Sequence, residues 1–213
     1  MKFSVLIGAA LLLPAICNSQ TAINFGIKQG FNFSRFAGKE AEVLSGDDHQ
    51  KFLTGSGLSL TANTKVKDHF WIKHELGYWK KGGYIYIDDG VNAKYRTSQI
   101  LRYFEILPAS ATYTFRGFQL YAGPYFGFLT ESSAIRKNNT GEISRVFDKA
   151  SHKHADFGIV AGVEYEFRVG LNIGARFYQG MSGIRQEDPK QISNQNATFT
   201  LGWTFHPRKG KSK

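Results

Sequence analysis

The sequence predicts an all-β chain: an eight-stranded antiparallel up-and-down transmembrane β-barrel with short periplasmic turns and long outer loops. Three observations predict it. Segments of alternating apolar and polar residues recur, as in DFGIVAGVEYEFRVGLNIGARFYQG from Asp156 to Gly180, and a period of two is the mark of strands. The connections between segments alternate short and long, as the two unlike ends of an outer-membrane barrel do. Beyond the N-terminus no segment approaches the ~20 apolar residues of a membrane helix, so any span must be made by strands. Composition agrees, because 15% aromatic residues and 23 Gly against 5 Pro favour β structure.

The chain opens with MKFSVLIGAALLLPAICNSQ. Lys2, the apolar run Val5 to Ile16 and the small residues Cys17 and Ser19 read as a secretory signal peptide, residues 1–19, cut before Gln20. The alternative, a lipoprotein anchored at Cys17, fits poorly because bulky Ile16 stands where a small residue is expected. Cys17 is the only cysteine, so the exported chain is expected to hold no disulfide. The barrel domain is expected over residues 20–205, with a basic tail over 206–213 that carries part of the +10 net charge.

The eight segments follow in order. Ala22 to Phe36 sets Phe25, Ile27, Phe31 and Phe33 against Gly26, Lys28, Gly30 and Asn32. Phe52 to Val66 sets Leu58, Leu60 and Ala62 against Gly57, Ser59 and Thr61. Phe70 to Ile87 sets Phe70, Ile72, Leu76 and Tyr78 against Trp71, Lys73, Glu75 and Gly77. Ser98 to Phe115 loses its alternation near Ile106-Leu107-Pro108, where a bulge is expected because proline cannot donate to a ladder. Phe118 to Thr130, the two segments of the Asp156–Gly180 stretch, and Asn196 to Phe205 complete the set. Tight turns are expected at Lys67-Asp68-His69, Arg116-Gly117 and Val169-Gly170. Long loops are expected at Ala37 to Lys51, Asp88 to Thr97, Glu131 to Ala155 and Arg185 to Gln195.

A soluble exported barrel would bury the apolar face, and a membrane barrel turns it outward to lipid. Three features favour the membrane arrangement. The polar face is rich in glycine, including Gly26, Gly57, Gly77, Gly158, Gly162 and Gly174, which suits a narrow interior. Aromatics gather at strand ends, among them Trp71, Tyr78, Trp79, Tyr113, Phe115, Tyr165, Phe167, Trp203 and Phe205, as interfacial girdles do. A closed barrel also pairs every backbone group in lipid. The inward set then holds Lys28, Lys73, Arg168 and Arg176 with Glu75, Glu164 and Glu166. An eight-stranded lumen is just wide enough for side chains to fill, so ion pairs, Arg176 with Glu164 among them, and no open pore are expected.

Gly26-Ile27-Lys28-Gln29-Gly30-Phe31-Asn32-Phe33-Ser34, Lys73-His74-Glu75-Leu76-Gly77-Tyr78, Tyr103-Phe104-Glu105-Ile106-Leu107-Pro108, Ala122-Gly123-Pro124-Tyr125-Phe126-Gly127, Asp156 to Gly162 and Gly174 to Gly180 resemble, in order and spacing, the motifs of the PorT-like outer-membrane β-barrel family of Gram-negative bacteria. The resemblance covers about residues 22–205. It implies an eight-stranded membrane barrel and no activity. Some members of that family are linked to a protein secretion and gliding machinery.

The residues support no enzyme signature. His49 with Asp47 and Asp48, and His152 with His154 and Asp156, fall in or beside predicted outer loops, without a GxSxG or HExxH motif. His152 and His154 lack an evident third metal ligand, so no metal and no cofactor is expected. Arg136, Lys137, Arg145, Lys149 and Lys153 make the third loop basic and suit contact with lipopolysaccharide phosphates. The expected role is that of a non-enzymatic structural or interaction protein of the outer membrane. Its partners would be membrane lipid, lipopolysaccharide and a protein met through the outer loops, with no nucleic acid. The alternatives are a lipid-modifying enzyme at the rim and a soluble exported ligand-binding barrel.

Overall fold

The computed structural model describes residues 22–38, 41, 51–88, 94–137, 143–147, 149–150, 152–185 and 192–206, with backbone alone at 86–88, 94–96, 137 and 143–144. The expected signal peptide and residues 207–213 of the tail lie outside the described residues. The strands are β1 (Ile23–Ala37), β2 (Leu53–Lys67), β3 (Phe70–Asp88), β4 (Lys94–Phe115), β5 (Phe118–Lys137), β6 (Ile143–Phe147), β7 (Ala155–Glu166), β8 (Leu171–Gly180) and β9 (Ser193–Phe205). They pair in the order β4-β3-β2-β1-β9-β8-β7-β5, and β4 pairs with β5 to close the ring. This is a closed eight-stranded antiparallel barrel, with β6 added to β5 outside the ring. Closure leaves no ring edge with unpaired backbone, which is what a hydrocarbon environment demands.

The apolar face points outward. Along β7, Phe157 and Ile159 are 48% and 57% exposed, whereas Val160 and Glu164 are 1% and 2% exposed. The alternation runs through every ring strand, with Phe25, Ile27, Leu58, Leu60, Phe126, Phe199 and Leu201 outside. Lys28, Lys73, Glu75, Thr112, Asn172 and Thr200 lie inside. Among the described residues no helix is long and apolar enough to cross a membrane.

The short turns lie together at one end. Arg116 (φ 49°) and Gly117 (φ 89°) link β4 to β5. Two central residues with positive φ make the tight hairpin whose twist matches its strands. The expected bulge is present. Lys73 pairs with Ser110 and Glu75 with Leu107, so three steps of β4 oppose two of β3. The His74 ring, on the outer face of β3, hydrogen-bonds to the carbonyl of Pro108 at this irregularity. That contact satisfies a backbone acceptor in the stretch where lipid offers none.

Two loop expectations are corrected. Residues 94–97, 131–137 and 143–147 are strand, because β3 and β4 extend to Asp88 and from Lys94, β5 runs to Lys137, and β6 folds back on β5. Their sequences, such as Arg96-Thr97 and Ser132-Ser133-Ala134, carry no greasy face. A strand that has left the bilayer needs none, so hydrophobic period alone misses it.

Candidate functional site

The lumen is built by inward residues of strands on opposite walls. Glu164 on β7 receives Lys28 Nζ from β1 at 2.5 Å and Lys73 Nζ from β3 at 2.6 Å. Arg176 Nη1 on β8 reaches Glu75 Oε1 on β3 at 2.7 Å. In the ring β8 stands four strands from β3, so this pair crosses the full width of the interior. Higher up, Lys81 pairs with Glu105. The fully buried described set holds Lys28, Lys73, Lys81 and Arg176 against Glu75, Glu105, Asp156 and Glu164. The four cations and four carboxylates balance in number; three carboxylates take the four cations, Asp156 is held by neutral donors, and buried charge is tolerated when it is paired or hydrogen-bonded.

Aromatic rings fill the space between the ion pairs. Arg176 lies 4.7 Å from the Trp79 ring and 5.1 Å from Tyr178, and Lys73 lies 4.1 Å from Tyr121. Lys81 sits 4.5 Å from Tyr125 and 4.6 Å from Tyr178. The inward glycines make room for these rings. A Cβ on Gly162 would stand 2.6 Å from the Tyr121 ring, and one on Gly30 would stand 2.9 Å from Trp79. Gly57 and Gly77 also face the indole too closely for any side chain. Trp79 is therefore a lumen residue, 2% exposed, which corrects its expected place in the girdle. The outward girdle at the short-turn end is real, with Phe118 4.8 Å from Tyr165 and Phe70 5.3 Å from Tyr113.

The predicted lumen residues divide. Lys28, Lys73, Glu75, Glu164 and Arg176 are buried together. Arg176 pairs with Glu75 instead of Glu164, because β8 faces β3 across the ring and both lysines claim Glu164. Glu166 sits at the lower rim, where it receives Gln119, Thr204 and His206. Arg168 lies in the β7–β8 turn and is exposed, since β7 ends at Glu166. Sequence reasoning missed Lys81, Glu105 and Asp156. Their alternation was readable, but Lys81 stands beside Lys80 and Glu105 sits next to the bulged stretch, where the phase was lost.

A different group packs at the outer end of the lumen. Phe36, Ala41, Leu101, Tyr103, Leu129, Ile184 and Ile192 form one buried apolar cluster. Asp156 holds the loop beneath it, accepting Ser182 Oγ at 2.7 Å, Asn194 Nδ2 at 3.0 Å and Tyr125 Oη at 3.3 Å. His152 is buried rather than solvated. Its Nδ1 lies 3.3 Å from Ser132 Oγ, which also accepts Gln99 Nε2, and its backbone bridges Arg185. His154 is exposed, while His49, Asp47 and Asp48 lie outside the described residues. Among the described residues no group of three metal-ligating side chains occurs. Of the basic set, Arg136, Arg145, Lys149 and Lys153 are exposed, and the side chain of Lys137 lies outside the described part.

The family profile for the outer membrane protein beta-barrel domain matches residues 18–186. The chain belongs to this family. This outer-membrane barrel also has distant likenesses among solved structures. Neisserial surface protein A shares 13% identity at a TM-score of 0.44, over 85% of this chain and 97% of that one. Ail of Yersinia pestis shares 12% at 0.43, over 86% and 99%. The N-terminal barrel domain of Pseudomonas aeruginosa OprF shares 14% at 0.34, over 84% and 97%. No curated protein matches the chain.

Proposed function

We propose that this outer-membrane barrel is a sealed, non-enzymatic scaffold that works through its outer end. The carrying observation is the pair of cross-lumen contacts, Lys28–Glu164–Lys73 and Arg176–Glu75, beneath the apolar cap at the mouth. A conducting lumen would need charges that face water, and these face each other. The net positive charge of the chain therefore acts from the rim and loops, because the buried lumen set balances. The basic residues Arg136, Arg145, Lys149 and Lys153 suit lipopolysaccharide phosphates, and the outer loops suit a protein partner. The PorT-like motifs support a role as an accessory to protein secretion. Export would use residues 1–19 as a signal peptide. The test is twofold. Purified barrel in a planar bilayer should give no steady conductance, and cross-linking on intact cells should capture a partner through loop positions such as Lys149. Ohmic single-channel steps would overturn the sealed lumen.

A second reading rests on the Ser132–His152 contact, which has the elements of a hydrolytic dyad at the outer rim. Against it, Ser132 is 1% exposed and held by Gln99, and Asp156 is engaged by Tyr125, Ser182 and Asn194. Phospholipid or lipid A turnover by the purified barrel, abolished in His152→Ala, would establish this reading in place of the first.

A further inference from the structure

The outer wall carries a second basic feature, on the barrel itself and not in a loop. Lys80 on β3 stands directly opposite Arg102 on β4. Both point away from the lumen, since Trp79, Lys81, Leu101 and Tyr103 on either side of them are buried inside. Like charges opposite one another on one face of a strand pair destabilise it. One carboxylate is shared nearby. Glu131, opposite Arg102 on β5, pairs with Arg102 and also with Arg145 Nη2 of β6 at 3.1 Å. Among the described residues the Lys80 ammonium has no carboxylate partner. Among the described residues two of these three cations therefore share a single anion and the third has none, and the wall keeps an excess of positive charge.

The depth of this patch follows from the register. One outward position closer to the barrel middle, Tyr78, Phe104 and Phe128 stand side by side on β3, β4 and β5, all exposed. From Phe104 the outward face of β4 runs down to Tyr113 in the short-turn girdle. The bulge takes up one of those steps, so at about 3.3 Å per residue and a tilt near 40° the path covers roughly 20 Å of the membrane normal. An outer-membrane barrel presents an apolar band about 25 Å tall between two aromatic girdles. The row Tyr78–Phe104–Phe128 is then the upper girdle, and Lys80 and Arg102 sit just above it, at headgroup depth on the loop-bearing side. Long basic side chains at this depth keep their stems on apolar wall and their charges in the headgroups.

We infer that Lys80, Arg102 and Arg145 form a binding site for the phosphate group of an outer-leaflet lipid, whose acyl chains lie against Tyr78, Phe104 and Phe128. A phosphate offers what the patch lacks, an anion able to stand between Lys80 and Arg102. The guanidinium matches its oxygens in paired hydrogen bonds, and the ammonium adds a point charge. This deepens the membrane reading above and rests on it. It differs from the loop contact in naming the wall as the binding surface.

The full chain, folded in detergent, is titrated with diphosphoryl lipid A and with the same lipid after phosphate removal, and bound lipid is counted by native mass spectrometry. The wild type should retain the phosphorylated lipid preferentially. A doubly substituted barrel, Lys80→Gln with Arg102→Gln, should weaken that retention about fivefold for each charge removed. Lys65→Gln with Lys67→Gln, at the short-turn end of β2, should leave it unchanged, and Glu131→Gln should hold or strengthen it. Heat-modifiable migration reports folding for every variant, and Lys80→Gln alone provides the same comparison if the pair fails to fold. Equal retention by the wall variants overturns the inference, as does an equal loss in the short-turn variants. Displacement of the lipid by an equal concentration of inorganic phosphate would reduce the site to a soluble-anion site and also overturn it. If the wild type fails to float with liposomes, the membrane reading falls. If it floats without preferring phosphate, only this site falls.

Discussion

At the level of Glu164 the lumen is crossed by ion pairs, whereas at the level of Leu101 it is closed by Phe36, Ala41, Leu129, Ile184 and Ile192. Both levels fill the interior, and they do so with opposite chemistry. The lower level lies within the bilayer, where the outward positions are reserved for lipid contact and the polar set is left to fill the middle. Its charges come from ring strands on facing walls and meet at fixed distances. The upper level lies beyond the bilayer and borrows side chains from connections between strands, as Ala41, Ile184 and Ile192 do. It resembles a small soluble core set on top of a polar one. One chain can thus bury apolar groups above the membrane and expose them within it, because the surrounding solvent changes along the strand.

Several substitutions would break or sharpen this contrast. The largest effect is expected from Glu164→Ala, which strands two buried ammonium groups. Removing one partner from a buried ion pair costs about 3–5 kcal/mol. Urea unfolding in detergent should show that loss, and the triple change Lys28→Met, Lys73→Met, Glu164→Leu should recover much of it. A barrel indifferent to Glu164→Ala would mean that the lower level is not held by its charges.

In the upper level Ile184→Ala removes packing from a residue 4% exposed. An Ile→Ala change in a core costs about 2 kcal/mol or more. Here the damage should stay local: faster proteolytic cutting between β8 and β9, with the heat-modifiable shift of the barrel intact. Loss of that shift would show that the two levels fold as one unit.

Gly57→Ala probes the fit of Trp79 between the levels, since a Cβ there collides with the indole. Overpacking of this kind costs about 1–3 kcal/mol. Trp79→Leu in the same chain should relieve part of that cost, and a double-mutant cycle reads the coupling. The smallest effect is expected at Arg168, exposed in its turn. Arg168→Ala should change stability by no more than about 0.5 kcal/mol, as surface changes do.

The sequence disclosed the two levels unequally. Alternation along the strands, as from Phe25 to Phe33 and from Phe157 to Glu164, placed the ring strands and the buried charges Lys28, Lys73, Glu75, Glu164 and Arg176. Partner choice was not readable, because Arg176 meets Glu75 only once the ring has closed and set β8 opposite β3. Trp79 read as an interfacial aromatic because its three glycine neighbours come from three different strands. The upper level left almost no trace. Ile184 and Ile192 are isolated apolar residues in polar loops, and Leu101 and Leu129, although inside expected strands, are apolar residues in the inward phase that was read as polar.

The three tryptophans allow the orientation of the wall to be measured with native side chains. Trp203 is 42% exposed on the outward face and Trp79 is 2% exposed in the lumen. Single-tryptophan barrels, made by replacing the other two residues with Phe, are folded into vesicles of ordinary and of brominated phospholipid. Bromine on the acyl chains should quench the Trp203 barrel strongly and leave the Trp79 barrel nearly as bright as before. Strong quenching of Trp79 with Trp203 unaffected would contradict a wall that turns its apolar face to lipid.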